Sequence, residues 1–284
     1  MFRLLGGPGV GWIPPNSRWL LVGGIEKYGH AGRAAAMRPV VWRTLLSVSK
    51  EAVARLCFGA TFVIAAFSLG LQFVLDWLGV WDDPNIPGPS HAVRIWRFFS
   101  YFTTQANLLV VMTSLGLARG PGRDGPGWRV VRLNALTGIT ITGLVHWFLL
   151  HPLDDFRGLL WTSDTLVHII VPILVVLGWL VFGPRRRITT RVVVLGLIWP
   201  VMWLLYTLLV GGITGWYPYF FLDLGQSGPG VVALYCIAIL ILLFVVSCLF
   251  WMGDRWLPGR QPGRVATDGE PIDAPRLRPA RRGR

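Results

Sequence analysis

Thr103 and Asn107 stand four residues apart in the stretch YFTTQANLLV, and Asp164 and His168 stand four apart in DTLVHIIVP. On a helix, residues at i and i+4 share a face, so each stretch presents two hydrogen-bonding side chains together. An acid one turn from an imidazole orients the ring and stabilises its charged form. A hydroxyl within hydrogen-bond reach of that ring completes a nucleophile, base and orienter. Thr103 offers such a hydroxyl, and so does the adjacent Thr104. A structural reading stands beside the chemical one, because Thr in a membrane helix often bonds its own i−4 carbonyl and Asn or Gln bridge neighbouring helices. Thr104 and Gln105 are read in that structural way.

The elements that must position these residues follow from composition. Over 284 residues the chain is 53% hydrophobic and only 14% charged, with a mean hydropathy of +0.55. These values lie outside the range of soluble globular domains. Crossing ~30 Å of hydrocarbon takes roughly 20 apolar residues, and runs of that kind fall at about 53–77, 96–118, 132–150, 163–183, 192–212 and 230–252. None alternates with period two, so helices are expected rather than barrel strands. The fold class is therefore all-α: a polytopic membrane protein with six transmembrane helices in one bundle.

Orientation comes from the loops, since Lys and Arg accumulate on the cytoplasmic side. The connection after the second run carries Arg119, Arg123, Arg129 and Arg132, and the one after the fourth carries Arg185, Arg186, Arg187 and Arg191. The other connections hold Asp82, Asp83 and Arg94, then Asp154, Asp155 and Arg157, then Asp223. Both termini are thus expected in the cytoplasm, with the protein in the plasma membrane of a bacterium. Residues 1–50 read as a basic region, partly disordered or over-extended with Met37 as an alternative start, 51–253 as the membrane domain, and 254–284 as a disordered basic tail. Such Arg-rich tails attract anionic lipid. Nucleic acid is not expected as a partner, because no recognition fold or stacking platform is present.

With the topology set, depth follows from ~1.5 Å of rise per residue. Thr103 falls about 10 Å below the outer surface and His168 about 9 Å. Gln72, Asn107, His146 and Tyr206 belong to the same outer third, whereas the inner half is mostly Leu, Val and Ile. Polar groups in a membrane normally face a bundle interior or a wet cavity, so these six side chains point to a shared pocket opening outward. His91 and His151 read as loop residues. Trp216, Tyr217, Pro218 and Tyr219 read as an interfacial aromatic anchor, with a roof over the pocket as the alternative. Cys57, Cys236 and Cys248 lie inside predicted helices and give neither a disulfide framework nor a metal spacing. The chain carries no Walker loop, HExxH or CxxC motif, and no metal or cofactor is expected.

The segments YFTTQANLL, DTLVHIIVP and TGWYPYFFLD, in that order, resemble the bacterial six-span membrane proteins called Pr-six-Pr. More distantly they resemble the eukaryotic androgen-induced and androgen-dependent tissue-factor-pathway-inhibitor-regulating proteins. The resemblance covers roughly residues 50 to 252. The distant relationship implies a membrane hydrolase that cleaves fatty acid esters of hydroxy fatty acids with a Thr nucleophile and a His. Carried over by motif, those residues are Thr103 and His168, the pair already matched in depth, with Thr104 remaining the competing nucleophile. The leading reading is thus lipid-ester hydrolysis in which Asp164 holds His168, while Asn107, His146 or Tyr206 donates to the oxyanion and Gln72 lines the pocket. Non-catalytic binding or transport of a lipid or small molecule is the alternative, and an accessory bundle without a pocket is a third.

Overall fold

The computed structural model describes residues 26–80, 87–153 and 155–258, with side chains from Lys50 onward apart from Leu153. Most of the two predicted tails, residues 1–25 and 259–284, lies outside the described residues, as do Asp82, Asp83 and Asp154. The chain divides into two compact units at Val53, and every site residue named above belongs to the second.

All elements among the described residues are helical. They are α1 (Glu26–Leu78), α2 (His91–Ser100), α3 (Phe102–Arg119), α4 (Pro126–Val145), α5 (Leu159–Thr165), α6 (Val171–Phe182), α7 (Thr190–Gly196), α8 (Ile198–Thr214), α9 (Leu224–Ser227) and α10 (Pro229–Trp256). The starts carry the expected signals. Ser90 accepts the Val93 N–H ahead of α2, Thr189 accepts the Val192 N–H ahead of α7, and Pro126 and Pro229 sit where a missing N–H costs nothing.

Among the described residues, five segments are long and apolar enough to cross a membrane: Lys50–Leu78, Pro126–Leu150, Leu159–Phe182, Thr190–Thr214 and Pro229–Trp256. They fall on five of the six expected runs. The remaining run, 96–118, is not the single helix expected: it is split between α2 and α3 at Tyr101, whose ψ of 133° is extended. His91 is likewise not a loop residue, but opens α2 with its ring stacked on Trp77 at 4.2 Å. His151 opens a 3₁₀ turn and stacks on Trp147. At the other end α10 runs to Trp256, so Asp254, expected in the disordered tail, is helical and buried. Its carboxylate is satisfied by the Arg187 and Ile188 N–H groups at 2.6 and 2.8 Å, which explains its tolerance inside.

Helix α4 is the centre of the bundle, packing on α3, α6, α7 and α10. Ile139 on α4 and Val110 on α3 are fully buried. A Cβ at Gly138 would meet Ala106 Cβ at 3.4 Å and the Trp199 ring at 3.0 Å, so small residues let these helices approach closely. The outside is apolar. The segment Pro229–Trp256 keeps only 22% of its most apolar window inside, against 50% for Pro126–Leu150. Side chains such as Leu56, Leu209 and Ile213 face outward. Exposed apolar side chains on apolar helices of this length are compatible with a multi-pass membrane protein.

Candidate functional site

The break at Tyr101 is what positions Thr103. The Ser100 carbonyl, which would continue the α2 ladder, instead accepts the Trp203 indole N–H at 2.9 Å. The Ser100 hydroxyl donates back to the Trp96 carbonyl at 2.8 Å. A new helix therefore starts at Phe102, and its ladder begins with Gln105 N–H donating to the Tyr101 carbonyl. The N–H groups of Phe102, Thr103 and Thr104 thus have no intrahelical acceptor. Thr103 sits at the positive end of the α3 dipole, a place that favours developing negative charge.

Two π turns supply the other half. His146–Leu150 follows α4, and Leu166–Ile170 lies between α5 and α6. Single π turns inside helices are rare and recur at functional sites. Here they lie against one another: an added Cβ at Gly143 would meet the His168 carbonyl oxygen at 3.1 Å and Pro172 Cβ at 3.3 Å. The His146 and His168 rings consequently stack, 4.2 Å between centroids and 9° between planes.

Thr103, His168 and Asp164 form a connected series. His168 Nδ1 is 2.8 Å from Asp164 Oδ1 and 3.2 Å from the Asp164 backbone carbonyl. The backbone carbonyl can only accept, so Nδ1 carries a proton, and in the neutral ring this leaves the lone pair on Nε2. Thr103 Oγ1 lies 3.5 Å from that Nε2, a length that tightens when substrate closes such a site. On its other side Thr103 Oγ1 is 3.2 Å from the Tyr219 hydroxyl, which also accepts the Thr103 N–H at 3.3 Å. Having accepted that N–H, Tyr219 has its own proton for Thr103 Oγ1, and Thr103 has its proton for His168. Burial pushes the Tyr219 phenol up, against the pull of the Thr103 contacts, so it stays protonated at neutral pH.

These residues border a cavity of about 320 Å³. Gln72, Asp76, Tyr101 and Thr104 also line it, with Leu69, Val167 and Phe220 among its apolar walls. A second, narrower crevice of about 40 Å³ shares Thr103, Leu150 and Tyr219 with it and is otherwise walled by groups such as Ile141, Trp203, Leu204 and Ile239. Thr103 therefore borders both a chamber of mixed polar and apolar lining and an apolar slot. Thr104 is buried and faces the chamber too, but the hydroxyl within reach of His168 is that of Thr103.

Among the remaining sequence-predicted residues, His146 and Gln72 join the group. His146 Nε2 is 3.3 Å from Asp164 Oδ2, yet the two are not aligned as a hydrogen bond and the buried nitrogen has no other partner. Gln72 lines the chamber and accepts the Ser163 hydroxyl at 2.8 Å. Asn107 and Tyr206 are elsewhere. Asn107 Nδ2 donates to the Thr103 carbonyl at 2.9 Å, so it fixes the first turn of α3 and is not placed to donate into the chamber. The Tyr206 hydroxyl accepts the Trp96 indole N–H and contacts Ser100 Oγ, both at 2.9 Å, bracing the broken segment. Gln105 has the bridging role expected of it, accepting from Trp199 on α8 while donating to the Phe99 carbonyl.

His146, Asp164 and His168 each offer a ligand atom, all within 4.8 Å of one another, and are the group among the described residues able to hold a metal. Sequence reasoning gave Tyr219 only a place in an aromatic anchor or roof. Its motif YPYFFLD was visible, but nothing in a loop sequence says that one ring turns inward to a distant threonine. No family model, curated protein or solved structure matches the chain.

Proposed function

We propose that the protein is an integral membrane hydrolase of lipid esters, with Thr103 as nucleophile and His168, held by Asp164, as base. The observation that carries this reading is the unbroken series from Asp164 through His168 to Thr103, at 2.8 and 3.5 Å. In the reaction His168 Nε2 takes the Thr103 hydroxyl proton as Oγ1 attacks the ester carbonyl carbon. The resulting oxyanion is met by the Tyr219 hydroxyl at the positive end of the α3 dipole. As the bond from carbonyl carbon to alkoxy oxygen breaks, His168 gives its proton to the departing alcohol and an acyl-Thr103 ester remains. His168 then takes a proton from water, whose oxygen attacks that ester. Thr103 leaves with the proton and the carboxylic acid is released.

Six crossings belong to the same proposal, with α2 and α3 together forming a broken sixth span. Their 28 helical residues, 10 and 18, rise about 42 Å, enough for a bilayer core. Arg185, Arg186 and Arg187 between α6 and α7, together with Arg119 and Arg123, support a reading with both termini in the cytoplasm and the chamber toward the outside of a bacterial plasma membrane. The broken helix supports this, since unwound backbone at membrane depth is tolerated where it lines a cavity. The resemblance to Pr-six-Pr and to the androgen-induced hydrolases fits the same assignment of Thr103 and His168.

The test is turnover of a fatty acyl ester by the protein in proteoliposomes. Hydrolysis is expected in the natural chain and absent in His168→Ala. Saturable ester binding without turnover would replace the enzyme by the non-catalytic lipid-binding reading.

A further inference from the structure

We infer that His146, Asp164 and His168 are also a binding site for a divalent transition metal of the zinc class. Two imidazoles and a carboxylate form the borderline nitrogen and oxygen donor set that such ions select. The sequence hid it, because His146 comes from the π turn after α4, while Asp164 on α5 and His168 in the second π turn lie some twenty residues further along the chain. His146 supplies the independent observation. Its Nε2 is buried, lies 3.3 Å from Asp164 Oδ2 without hydrogen-bond alignment, and has no other partner. A buried ring nitrogen left in that state is costly in a native protein, and a cation is one way to satisfy it. Neither of the other two ligands needs to be brought from afar, since all three ligand atoms are within 4.8 Å.

Ligands at about 2.1 Å from one ion lie no more than about 4.2 Å apart. Binding therefore closes the group slightly and turns the two stacked rings toward a shared centre. Rotation about the soft terminal torsion of His provides both movements. The chamber leaves a further coordination position open to water.

Occupancy has a consequence that rests on the hydrolase reading. A neutral imidazole has one in-plane lone pair, and an ion that takes it from either nitrogen of His168 leaves none for the Thr103 proton. Metal binding and base action at His168 are alternatives, so zinc inhibits ester turnover.

The experiment titrates zinc chloride into the tag-free full-length chain in detergent by calorimetry, with bound metal counted after dialysis. One ion per chain is expected, with affinity falling at least tenfold in His146→Ala and in Asp164→Asn and unchanged in Thr103→Ala. His146→Gln serves the same purpose if the alanine variant does not fold. Absence of saturable binding, or binding by folded His146 variants equal to that of the natural chain, overturns the site. Ester turnover without zinc binding overturns this inference and spares the hydrolase; zinc binding without turnover does the reverse.

Discussion

In the proposed hydrolysis, replacing Asp164 by Asn separates two things the carboxylate does for His168. One is holding the tautomer with Nδ1 protonated. The other is stabilising the imidazolium that forms as Thr103 loses its proton. In a triad where the acid alone fixes the tautomer, such a replacement costs roughly 10⁴ in turnover. Here the Asp164 backbone carbonyl also accepts from Nδ1 at 3.2 Å, so the tautomer survives the change. What is lost is charge stabilisation. An ion pair with charge centres about 4 Å apart is worth about 4 kcal/mol at an effective dielectric of about 20. The side chains are mostly buried, 16% and 11% exposed, which keeps solvent screening modest. With the charge only partly developed in the transition state, the loss is about 2 to 4 kcal/mol, a fall in kcat/KM of about 30- to 1,000-fold.

The assay is steady-state ester hydrolysis in proteoliposomes, with thermal unfolding of each variant to verify the fold. The fall should appear in kcat with KM little changed, because the interaction grows only on the way to the transition state. A decline smaller than about threefold, or one confined to KM, refutes the role given to Asp164. A loss near 10⁴ refutes the backbone carbonyl as a second holder of the tautomer.

Other outcomes follow from the same geometry. Tyr219→Phe removes the hydroxyl beside Thr103 and should lower kcat about 100- to 1,000-fold, as loss of one oxyanion donor does; full activity in a kinetic assay would leave Tyr219 as a roof only. Gly143→Ala puts a Cβ 3.1 Å from the His168 carbonyl oxygen and should lower thermal stability by about 1 to 3 kcal/mol together with activity. Gly70→Ala, with nothing within 4 Å, should be neutral or stabilising in the same melt. At the opposite end of α4, the paired Arg129 guanidinium holds the Asp124 carboxyl down at about 2, from an ordinary 3.8. Its contribution is therefore present above about pH 4 and lost as pH falls through about 2. Because both groups are about a third exposed, it amounts to under about 1 kcal/mol in unfolding scans of the natural chain against Asp124→Asn.

The helices were legible because hydrophobic length is a strong signal: five apolar runs became helices with most ends within about six residues of those expected, although α1 begins at Glu26, well before the expected 53 and inside the region read as partly disordered. The pairing of Asp164 with His168 was legible for the same reason, since i, i+4 spacing needs only a helix. Thr103 and His168 were brought level by counting rise along straight helices. They meet at 3.5 Å although neither helix is straight, one being broken at Tyr101 and the other carrying a π turn. Those two irregularities were not readable. At the Tyr101 break the freed Ser100 carbonyl is taken by an indole from Trp203, 103 positions away, and the π turns leave no periodic mark in the sequence. Asn107 and Tyr206 turn to the α3 backbone and to Trp96 rather than into the chamber, because counting rise along a helix says nothing about which way a side chain turns. Tyr219 was missed because a loop has no period from which to infer facing.

The central claim is tested most directly by mapping where a fluorophosphonate probe attaches, using mass spectrometry of the protein labelled in membranes. The account predicts a single adduct on Thr103, lost in Thr103→Ala and in His168→Ala and retained in Thr104→Ala. An adduct on another residue, or labelling that persists when Thr103 is Ala, would contradict it.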